Sequence, residues 1–419
     1  MATKKLPNSS GTTSASTSMG EDFSADLIKQ LNKEHGSNIA FNLGDGTSPT
    51  EVKRWISTGS RQLDSIISNR TKGGLPEGRI VEISGPSSGG KSHLAFEAAK
   101  ATQQMGGIVV YIDTENATSL DNLKDIGIDV TKRFIFVQSG CIEEVFSVAE
   151  STILKARAMN KDVPVLIVWD SVAATSPKAE LEGDYEQVTI GQAARVIGKS
   201  MRKIVQIIAN QNVLFLLINQ QRMKIGVSYG DPTTTPGGMA IPYACSTRIQ
   251  ITSTGQSHIK DAKGNIIGIN VKAKTIKNKV APPFRSVEFQ IHFGKGVVEH
   301  EEVFDAFRLA CEARKDTPII VNDRIVTLEG TGAWKTFSLA NAATGEFEKE
   351  VKFYKHEFGE KVLYKPEFAP YMEELYSAAF VTTYDKLKEH ATYEGLNEDS
   401  YEEVYQAKID QAEQMVLND

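Results

Sequence analysis

A glycine-rich segment between a predicted strand and a predicted helix constrains this chain more than any other feature. Residues 85–92 read Gly-Pro-Ser-Ser-Gly-Gly-Lys-Ser and fit the pattern G-x-x-x-x-G-K-[ST] at every position. The apolar run 79–84 precedes it, and the helix-like run 93–100 follows it. Glycines let backbone N–H groups converge on phosphate oxygens, and the positive end of the following helix faces the same anion. The sequence therefore predicts that the chain binds a nucleoside triphosphate.

Two side chains of this loop have roles that follow from their chemistry. We expect the ammonium of Lys91 to reach the β- and γ-phosphates and the hydroxyl of Ser92 to hold Mg²⁺. A second strand-like run, 165–169, ends in Asp170, where a carboxylate would orient the hydration shell of the metal ion. The predicted nucleotide-binding residues are therefore Gly85, Pro86, Ser87, Ser88, Gly89, Gly90, Lys91, Ser92 and Asp170, of which Ser92 and Asp170 hold Mg²⁺, partly through water.

Polar side chains also follow two further predicted strands. Glu115 comes after the run 108–112, and Asn219 and Gln220 end the run that starts at Val213. Because ligands of open α/β sheets bind at the carboxyl ends of the strands, we expect these groups beside the phosphates. Glu115 could activate an attacking water, and an ordinary loop acid is the equally weighted alternative. An amide at Gln220 could bond the γ-phosphate and respond to its loss.

The spacing of apolar runs predicts an α/β fold. Strands that are apolar on both faces and alternate with helices are typical of a mainly parallel sheet. The predicted strands are 80–83, 108–112, 134–137, 165–169 and 213–218, and the predicted helices are 91–104, 143–158 and 188–208. After Pro242, strand-like runs without intervening helices predict an antiparallel extension of the same sheet, at 247–253, 267–274 and 287–293.

Composition divides the chain into five predicted parts. Residues 1–22 read as a disordered N-terminal tail, and residues 393–419 form an acidic C-terminal tail. Between them we predict an N-terminal oligomerisation helix with its linker (23–54), an ATPase core (55–296) and a small α+β C-terminal domain (297–392). The apolar side of the N-terminal helix could dock on a neighbouring subunit or, with equal weight, pack on its own domain. The C-terminal domain is predicted to contain helices at 303–313 and 370–380 and strands at 318–321 and 324–328.

The charge distribution and the cysteines indicate a cytosolic protein with an acidic C-terminal tail. The net charge is −6, but residues 394–419 hold eight acidic residues and one lysine, so the remaining chain sums to +1. Such a tail could compete with an anionic ligand for a basic groove or only aid solubility. Cys141, Cys245 and Cys311 are widely spaced, as is typical of reduced thiols in a cytosolic protein. No apolar run approaches the length of a membrane span, so no membrane partner is expected.

Two polar segments have the residue types that bind a nucleic-acid backbone. Residues 221–238, the 221–238 segment hereafter, combine Arg222 and Lys224 with glycines and threonines and are too irregular to pack. The other segment, residues 181–191, precedes the part of the predicted helix that bears Arg195 and Arg202. These two arginines are seven residues apart and share a helix face, although a solvated helix surface has the same pattern.

Several specific motifs resemble the RecA family of bacterial recombinases. They lie at residues 57–60, 73–83, 170–174, 177–180, 182–183, 218–220, 224–226, 277–281 and 289–291. The likeness runs in register from about residue 55 to 296, and a phage-encoded relative is compatible with it.

The resemblance implies a helical homo-oligomeric filament on single-stranded DNA, with ATP and Mg²⁺ between neighbouring subunits, that pairs homologous duplex DNA and exchanges strands. It implies that Glu115 activates water and that Gln220 couples the γ-phosphate to the following loop. Lys277 and Lys279 match a pair that reaches the neighbour's ATP, so the implied catalytic residues are Glu115, Lys91, Gln220, Lys277 and Lys279. The expected DNA-binding residues are Ile190, Arg195, Arg202, Arg222, Lys224, Ile225, Gly237 and Gly238, of which Ile190 and Ile225 would wedge between base triplets.

The family likeness also implies a cytoplasmic location in a bacterial or phage-infected cell, where a loader or single-strand-binding protein could assist the filament. Three positions depart from the family pattern. Asn122 stands where the family stacks an aromatic ring on adenine, Pro236 replaces a small hydroxyl residue, and Pro242 replaces a basic residue.

Two other functions are weighed against the recombinase. The first is a hexameric DNA motor such as a helicase, against which the recombinase-type loop and the Lys277 and Lys279 pair argue. The second is a filament protein that coats single strands and hydrolyses ATP only incidentally. The presence of Lys91, Glu115 and Asp170 argues against that function.

Overall fold

The computed structural model describes residues 21–36, 39–42, 51–184, 191–223, 233–330 and 332–382. Most of the predicted N-terminal tail and the whole of the predicted acidic tail lie outside these residues.

Ten α-helices lie in the described residues. They are α1 (Glu21–Glu34), α2 (Arg61–Ser68), α3 (Lys91–Gln104), α4 (Leu120–Ile126), α5 (Ile142–Met159), α6 (Lys178–Leu181), α7 (Gln192–Asn210), α8 (Ala240–Ala244), α9 (His300–Ala313) and α10 (Ala369–Phe380).

The same ranges contain seventeen strands. They are β1 (Trp55–Ile56), β2 (Leu75–Pro76), β3 (Ile80–Gly85), β4 (Ile108–Asp113), β5 (Phe134–Gln138), β6 (Val165–Asp170), β7 (Leu214–Gln220), β8 (Arg222–Met223), β9 (Thr233–Thr234), β10 (Thr247–Lys260), β11 (Ile266–Asn278), β12 (Ser286–His292), β13 (Gly296–Val298), β14 (Ile320–Val321), β15 (Arg324–Glu329), β16 (Trp334–Asn341) and β17 (Phe347–Tyr354).

A nine-stranded sheet forms the centre of the molecule, in the order β13-β12-β11-β10-β3-β7-β6-β4-β5. Strands β10, β3, β7, β6, β4 and β5 run parallel to one another, whereas β11, β12 and β13 continue the sheet in antiparallel pairing. The predicted α/β fold, with a mainly parallel sheet and an antiparallel extension, is confirmed. All five predicted parallel strands are present, and the three runs predicted as the antiparallel extension form β10, β11 and β12. The run at 247–253 differs from the prediction on one side, because β10 pairs antiparallel with β11 but parallel with β3.

Helices cover both faces of this sheet and make a three-layer core. On one face, α2, α3 and α4 pack on side chains such as Val81 and Ile83. On the other face, α5, α7 and α8 pack on side chains such as Ile80 and Trp169. Because the central strands are buried on both faces, they read as continuous apolar runs in the sequence.

The C-terminal elements form a second, four-stranded antiparallel sheet in the order β14-β15-β16-β17, flanked by α9 and α10. The sequence predicted α9, α10, β14 and β15 but missed β16 and β17. Strand β17 reads Phe-Glu-Lys-Glu-Val-Lys-Phe-Tyr and buries only Phe353, so its pattern is dominated by solvated charges. The antiparallel pairing with β16 stabilises this strand, and that contact is invisible in a local apolar pattern.

The buried carboxylate of Glu299 ties the C-terminal elements to the start of α2. It accepts hydrogen bonds from the Ser60 hydroxyl (2.7 Å) and from the backbone N–H groups of Arg61 (3.0 Å) and Gln62 (3.3 Å). A carboxylate is well placed there, because the first N–H groups of a helix have no partner within the helix. The guanidinium of Arg61 also lies over the ring of Tyr376, 3.8 Å from its centre.

In the part of the chain that the structure describes, no helix is both long and apolar enough to cross a bilayer. Cys141 and Cys245 are buried and Cys311 is half-buried, and all three are free thiols.

A buried carboxylate in α2 makes the stability of the fold depend on pH. Asp64 accepts hydrogen bonds from the Ser57 hydroxyl (2.5 Å) and from the backbone and hydroxyl of Thr58 (2.8 Å each). Burial nevertheless raises the pKa of the Asp64 carboxyl to about 7. The unfolded chain has the ordinary value of about 3.9, so the folded protein holds an extra proton between these two values. Stability contributed by this group is therefore lost as the pH rises through about 4 to 7.

We predict that the free energy of unfolding contains a component from Asp64 that falls by about 1.4 kcal/mol per pH unit within this window. The substitution Asp64→Asn removes the titrating group and should flatten this part of the pH dependence. Urea unfolding of both proteins at pH 5 and pH 8 measures the difference. An equal loss of stability in the wild type and the variant would contradict the prediction.

Candidate nucleotide and DNA site

The glycine-rich loop connects β3 to α3, as the sequence predicted. Ser88 and Gly90 have positive φ angles, of 57° and 90°. A Cβ atom at Gly90 would lie 2.6 Å from Cδ1 of Ile291, so both the backbone conformation and the space require glycine at this position. The carbonyl of Gly85 accepts a hydrogen bond from the backbone N–H of Gln221 (3.2 Å), which joins the loop to the start of the 221–238 segment.

Lys91 is the first residue of α3, and its side chain is buried against the loop. Its Nζ donates a hydrogen bond to the carbonyl of Pro86 (2.7 Å). Burial lowers the pKa of Lys91, whereas the charges of Asp170 and Glu115 raise it. The ammonium therefore lies at the N-terminus of a helix, beside two carboxylates that favour its charged form.

Asp170 ends β6 beside the loop. Its Oδ2 accepts a hydrogen bond from the hydroxyl of Tyr111 (2.6 Å), and the side chain of Ser92 lies beside the same carboxylate. Burial raises the pKa of Asp170, and the hydroxyls of Tyr111 and Ser92 oppose the rise. Burial also raises the pKa of Tyr111, so its hydroxyl stays a donor. The structure thus brings Ser92 and Asp170 together, as the metal-site prediction requires.

Glu115 and Gln220 come from different strand ends and meet directly. The Nε2 of Gln220 donates a hydrogen bond to Oε1 of Glu115 (2.9 Å), and the same oxygen accepts a hydrogen bond from the Ser171 hydroxyl. The side chain of Glu115 is exposed, and its backbone N–H donates to Oδ1 of Asp113 (3.0 Å). An exposed carboxylate oriented by two donors can accept a proton from water.

These residues fit a nucleoside triphosphate with Mg²⁺. The loop has glycine at positions 85, 89 and 90, so much of its backbone lacks side-chain bulk, and the N-terminus of α3 and Lys91 supply positive charge. The oxygen atoms of Ser92 and Asp170 are hard ligands of the kind that Mg²⁺ prefers.

The expected DNA-binding residues that the structure describes lie on α7 and on the two ends of the 221–238 segment. Strand β8 pairs with β9, so Arg222 lies opposite Thr234. Gly238 packs against α7, where a Cβ atom would lie 2.9 Å from that of Ala194. Arg195 and Arg202, also on α7, are both exposed. The expected residues Ile190, Lys224 and Ile225 lie outside the described residues.

Lys277 and Lys279 lie at the end of β11. The Nζ of Lys277 donates hydrogen bonds to the carbonyls of Pro242 (2.5 Å) and Tyr243 (3.2 Å) in α8. Burial lowers the pKa of Lys277, and the charge of Lys279 lowers it further. The side chain of Lys279 is exposed, as is that of Asn122 in α4.

Four residues contribute to the site in the structure although the sequence analysis did not assign them to it. Tyr111 and Ser171 orient the two carboxylates described above. Glu82 and Arg248 form a buried ion pair behind Gln220. The signal for this pair in the sequence is a single glutamate inside the apolar run 79–84.

The fold and the loop together define a nucleotide-binding α/β protein of the P-loop class, with its site at the carboxyl ends of parallel strands. The family described as RecA N-terminal domain matches residues 24–298. The Protein RecA of Cereibacter sphaeroides is 39% identical over 278 residues, which cover 66% of this chain and 77% of that protein. The Protein RecA of Sulfurimonas denitrificans is 36% identical over 342 residues, with 80% and 90% covered. That of Chloroherpeton thalassium is 38% identical over 325 residues, with 78% and 82% covered.

This chain belongs to the RecA family, and its function is that of a recombinase in DNA recombination and repair. The predicted family resemblance is confirmed.

We predict that Lys91→Ala weakens the binding of Mg²⁺–ATP by about 10- to 100-fold, because a charge-assisted contact to phosphate is lost. Titration with a fluorescent ATP analogue measures the affinity. Lys161→Ala is the matched control, since Lys161 is exposed just before the amino end of β6. Equal affinity in the wild type and the Lys91 variant would contradict the assignment of this loop.

Proposed function

We propose that this chain is a DNA-stimulated ATPase that assembles as a helical filament on single-stranded DNA and pairs it with homologous duplex DNA. The observation that carries the proposal is the hydrogen bond between Gln220 and Glu115. Gln220 is the last residue before the 221–238 segment, and Glu115 is the candidate base. One contact therefore connects the site of hydrolysis to the segment expected to bind DNA.

The residues of the chain have distinct roles in this proposal. Lys91 and the N-terminus of α3 bind the phosphates, and Ser92 with Asp170 holds Mg²⁺. Mg²⁺–ATP supplies the phosphoanhydride bond that is hydrolysed. Glu115 orients water and accepts its proton, because the Ser171 hydroxyl and the Gln220 amide hold its carboxylate in place. Gln220 can exchange its bond to Glu115 for one to a γ-phosphate, and this exchange would report the state of the nucleotide.

A basic surface beside this site would bind the DNA backbone. Arg195 and Arg202 project from α7, and Arg222 lies at the start of the 221–238 segment. Gly237 and Gly238 have positive φ angles, of 98° and 72°, and their backbone N–H groups would bond DNA phosphates. We include Ile190, Lys224 and Ile225 in this surface on the family resemblance alone. Binding through arginines and lysines would weaken as salt increases.

Two exposed apolar surfaces favour assembly from copies of this chain. In α1, the side chains of Phe23 and Leu27 are 67% and 43% exposed. At the edge strand β5, Ile135 and Phe136 are 48% and 46% exposed. Different surfaces that bind head to tail generate a helical filament when the rotation does not close a ring. We propose that α1 docks on a neighbouring subunit, and that Lys277 and Lys279 reach the neighbour's ATP.

The hexameric motor and the coating protein are less well supported, because the family relatives are recombinases. We further propose a cytoplasmic location in a bacterial or phage-infected cell, where a loader or single-strand-binding protein could assist assembly.

A joint-molecule assay tests the proposed function. Purified protein, ATP, Mg²⁺ and a labelled single strand are mixed with supercoiled duplex that carries or lacks the homologous sequence. We expect the wild type to form joint molecules only with the homologous duplex, and the Lys91→Ala variant to form none. ATP hydrolysis stimulated by single strands without any joints would favour the motor or coating function instead.

The substitution Glu115→Gln should lower the rate of ATP hydrolysis by at least about 100-fold, because the amide cannot accept the proton of water. Nucleotide affinity should change much less, since the side chain keeps its shape and the loop is untouched. A phosphate-release assay with and without single strands, beside a nucleotide titration, separates the two effects. Undiminished hydrolysis would remove Glu115 from the catalytic role.

We predict that Lys277→Ala lowers DNA-stimulated hydrolysis about tenfold or more, because a cation supplied by the neighbouring subunit is lost. Mixing Lys277→Ala with Lys91→Ala subunits should restore activity, because about a quarter of the interfaces then combine both intact lysines. Lys274→Ala, on the same strand and exposed, is the control. Activity in the mixture that does not exceed the mean of the two variants measured separately would show that Lys277 does not act across the interface.

A further inference from the structure

Three polar side chains from neighbouring strands meet inside the central sheet. Glu82 in β3 and Asn219 in β7 are fully buried, and the side chain of Arg248 in β10 is 17% exposed. Strand β3 lies between the other two strands, so Glu82 can bond both neighbours. The Nδ2 of Asn219 donates to Oε1 of Glu82 (2.9 Å), and the Nε of Arg248 donates to Oε2 (2.5 Å). Both carboxylate oxygens are therefore bonded.

Asn219 also connects the two ends of the 221–238 segment. Its Oδ1 accepts a hydrogen bond from the backbone N–H of Gln220 (3.0 Å), just before the segment begins. Its Nδ2 donates a second bond to the carbonyl of Pro236 (3.0 Å), just before Gly237 and Gly238. One buried amide thus holds both the residue that contacts Glu115 and the far end of the segment.

Arg248 makes a second connection to the same far end. Its Nε is bonded to Glu82, and its Nη2 donates to the hydroxyl of Thr235 (3.4 Å). Thr235 and Pro236 are therefore held from two sides, by Arg248 and by Asn219. Glu82 is bonded to both Asn219 and Arg248, so a shift of the Asn219 side chain would also move Arg248.

We propose that Asn219, Glu82 and Arg248 are positioning residues that couple the state of the nucleotide at Gln220 to the DNA-binding end of the 221–238 segment. This inference rests on the proposed function and concerns the regulation of that same site. Gln220 would exchange its hydrogen bond to Glu115 for one to a γ-phosphate. This exchange would alter the hydrogen bond from the Gln220 backbone N–H to Asn219. A shift of Asn219 would then move Pro236, to which Asn219 is also bonded. By linkage, DNA that orders Gly237 and Gly238 would strengthen nucleotide binding by the same factor.

A purely structural role makes a different prediction. A buried ion pair that only fills space can be replaced by other residues with little functional effect, or its loss weakens the whole fold. In that case, DNA affinity would change equally with every nucleotide. The measured quantity is therefore the ratio of single-strand affinities with Mg²⁺–ATPγS and with Mg²⁺–ADP, because a general loss of stability does not change it.

Three variants of the full chain cut the network at different points. Asn219→Ala removes the bonds to Gln220, Glu82 and Pro236. Glu82→Gln keeps an acceptor for Asn219 but loses the ion pair with Arg248. Thr235→Val leaves Glu82, Asn219 and Arg248 unchanged and removes only the hydrogen bond from Arg248 to the Thr235 hydroxyl. Ser338→Ala removes a buried hydroxyl bonded to Thr327 (2.7 Å) in the C-terminal sheet and is the matched control.

Binding of labelled oligo-dT is followed by fluorescence anisotropy at one salt concentration, after thermal melts show which variants are folded. We expect the affinity ratio of Asn219→Ala to fall about tenfold towards one, that of Glu82→Gln and Thr235→Val to fall less, and that of Ser338→Ala to stay unchanged. The effect of single strands on ATPγS affinity should shrink by the same factor. In the double variant with Asn219→Ala and Thr235→Val, the losses should not add, because the connection through Glu82, Arg248 and Thr235 also begins at Asn219.

The inference is overturned if the folded variants keep the wild-type ratio, including the case in which they lose DNA affinity equally with both nucleotides. If Asn219→Ala does not fold, the ratios of Glu82→Gln and Thr235→Val decide the outcome. If the wild type itself shows no dependence of DNA binding on the nucleotide, the proposed function has failed and the inference fails with it. Coupling that is present in the wild type and unchanged in the variants rejects the inference alone.

Discussion

The parallel pairing of the consecutive strands β3, β7, β6 and β4 is the constraint on which the site depends. In this pairing Gly85 lies opposite Gln220, and Asp113 lies opposite Asp170. The ends of these strands therefore place the glycine-rich loop, the candidate metal carboxylate of Asp170 and the amide of Gln220 at one edge of the sheet. Each of these groups is rigidly placed because the strands behind it are buried on both faces. A shift in register would separate groups that act together.

The same strand pairing also brings buried polar side chains together inside the sheet. The strands that carry the phosphate loop and Gln220 also carry Glu82 and Asn219, whose side chains bond inside the sheet. Burying a carboxylate is unfavourable unless its oxygens are bonded, and here a guanidinium and an amide bond both of them. The polar groups that satisfy Glu82 are the same groups that hold the ends of the 221–238 segment. The interior of the sheet and the proposed DNA-binding surface are thus parts of one hydrogen-bonded structure.

Most of the fold was predictable because its signals are local. Strand β3, helix α3 and the loop between them follow from apolar runs and from glycine at positions with positive φ. The strands β16 and β17 were missed because their alternation is weak and charged side chains cover much of β17. The residues Tyr111, Ser171 and Arg248 were missed as site residues because their partners are at least 56 residues away along the chain.

The sequence by itself determined the chemistry available to this protein: a phosphate loop, carboxylates at strand ends, a basic helix face and a segment too polar to pack. Those properties depend on residue type and on spacing within about one helix turn or one strand, which a chain carries without its fold. Only the tertiary structure decided which groups meet. It placed Gln220 on Glu115, Ser92 beside Asp170, and Asn219 between Glu82 and Pro236, because strand order brings together residues that are far apart in the chain.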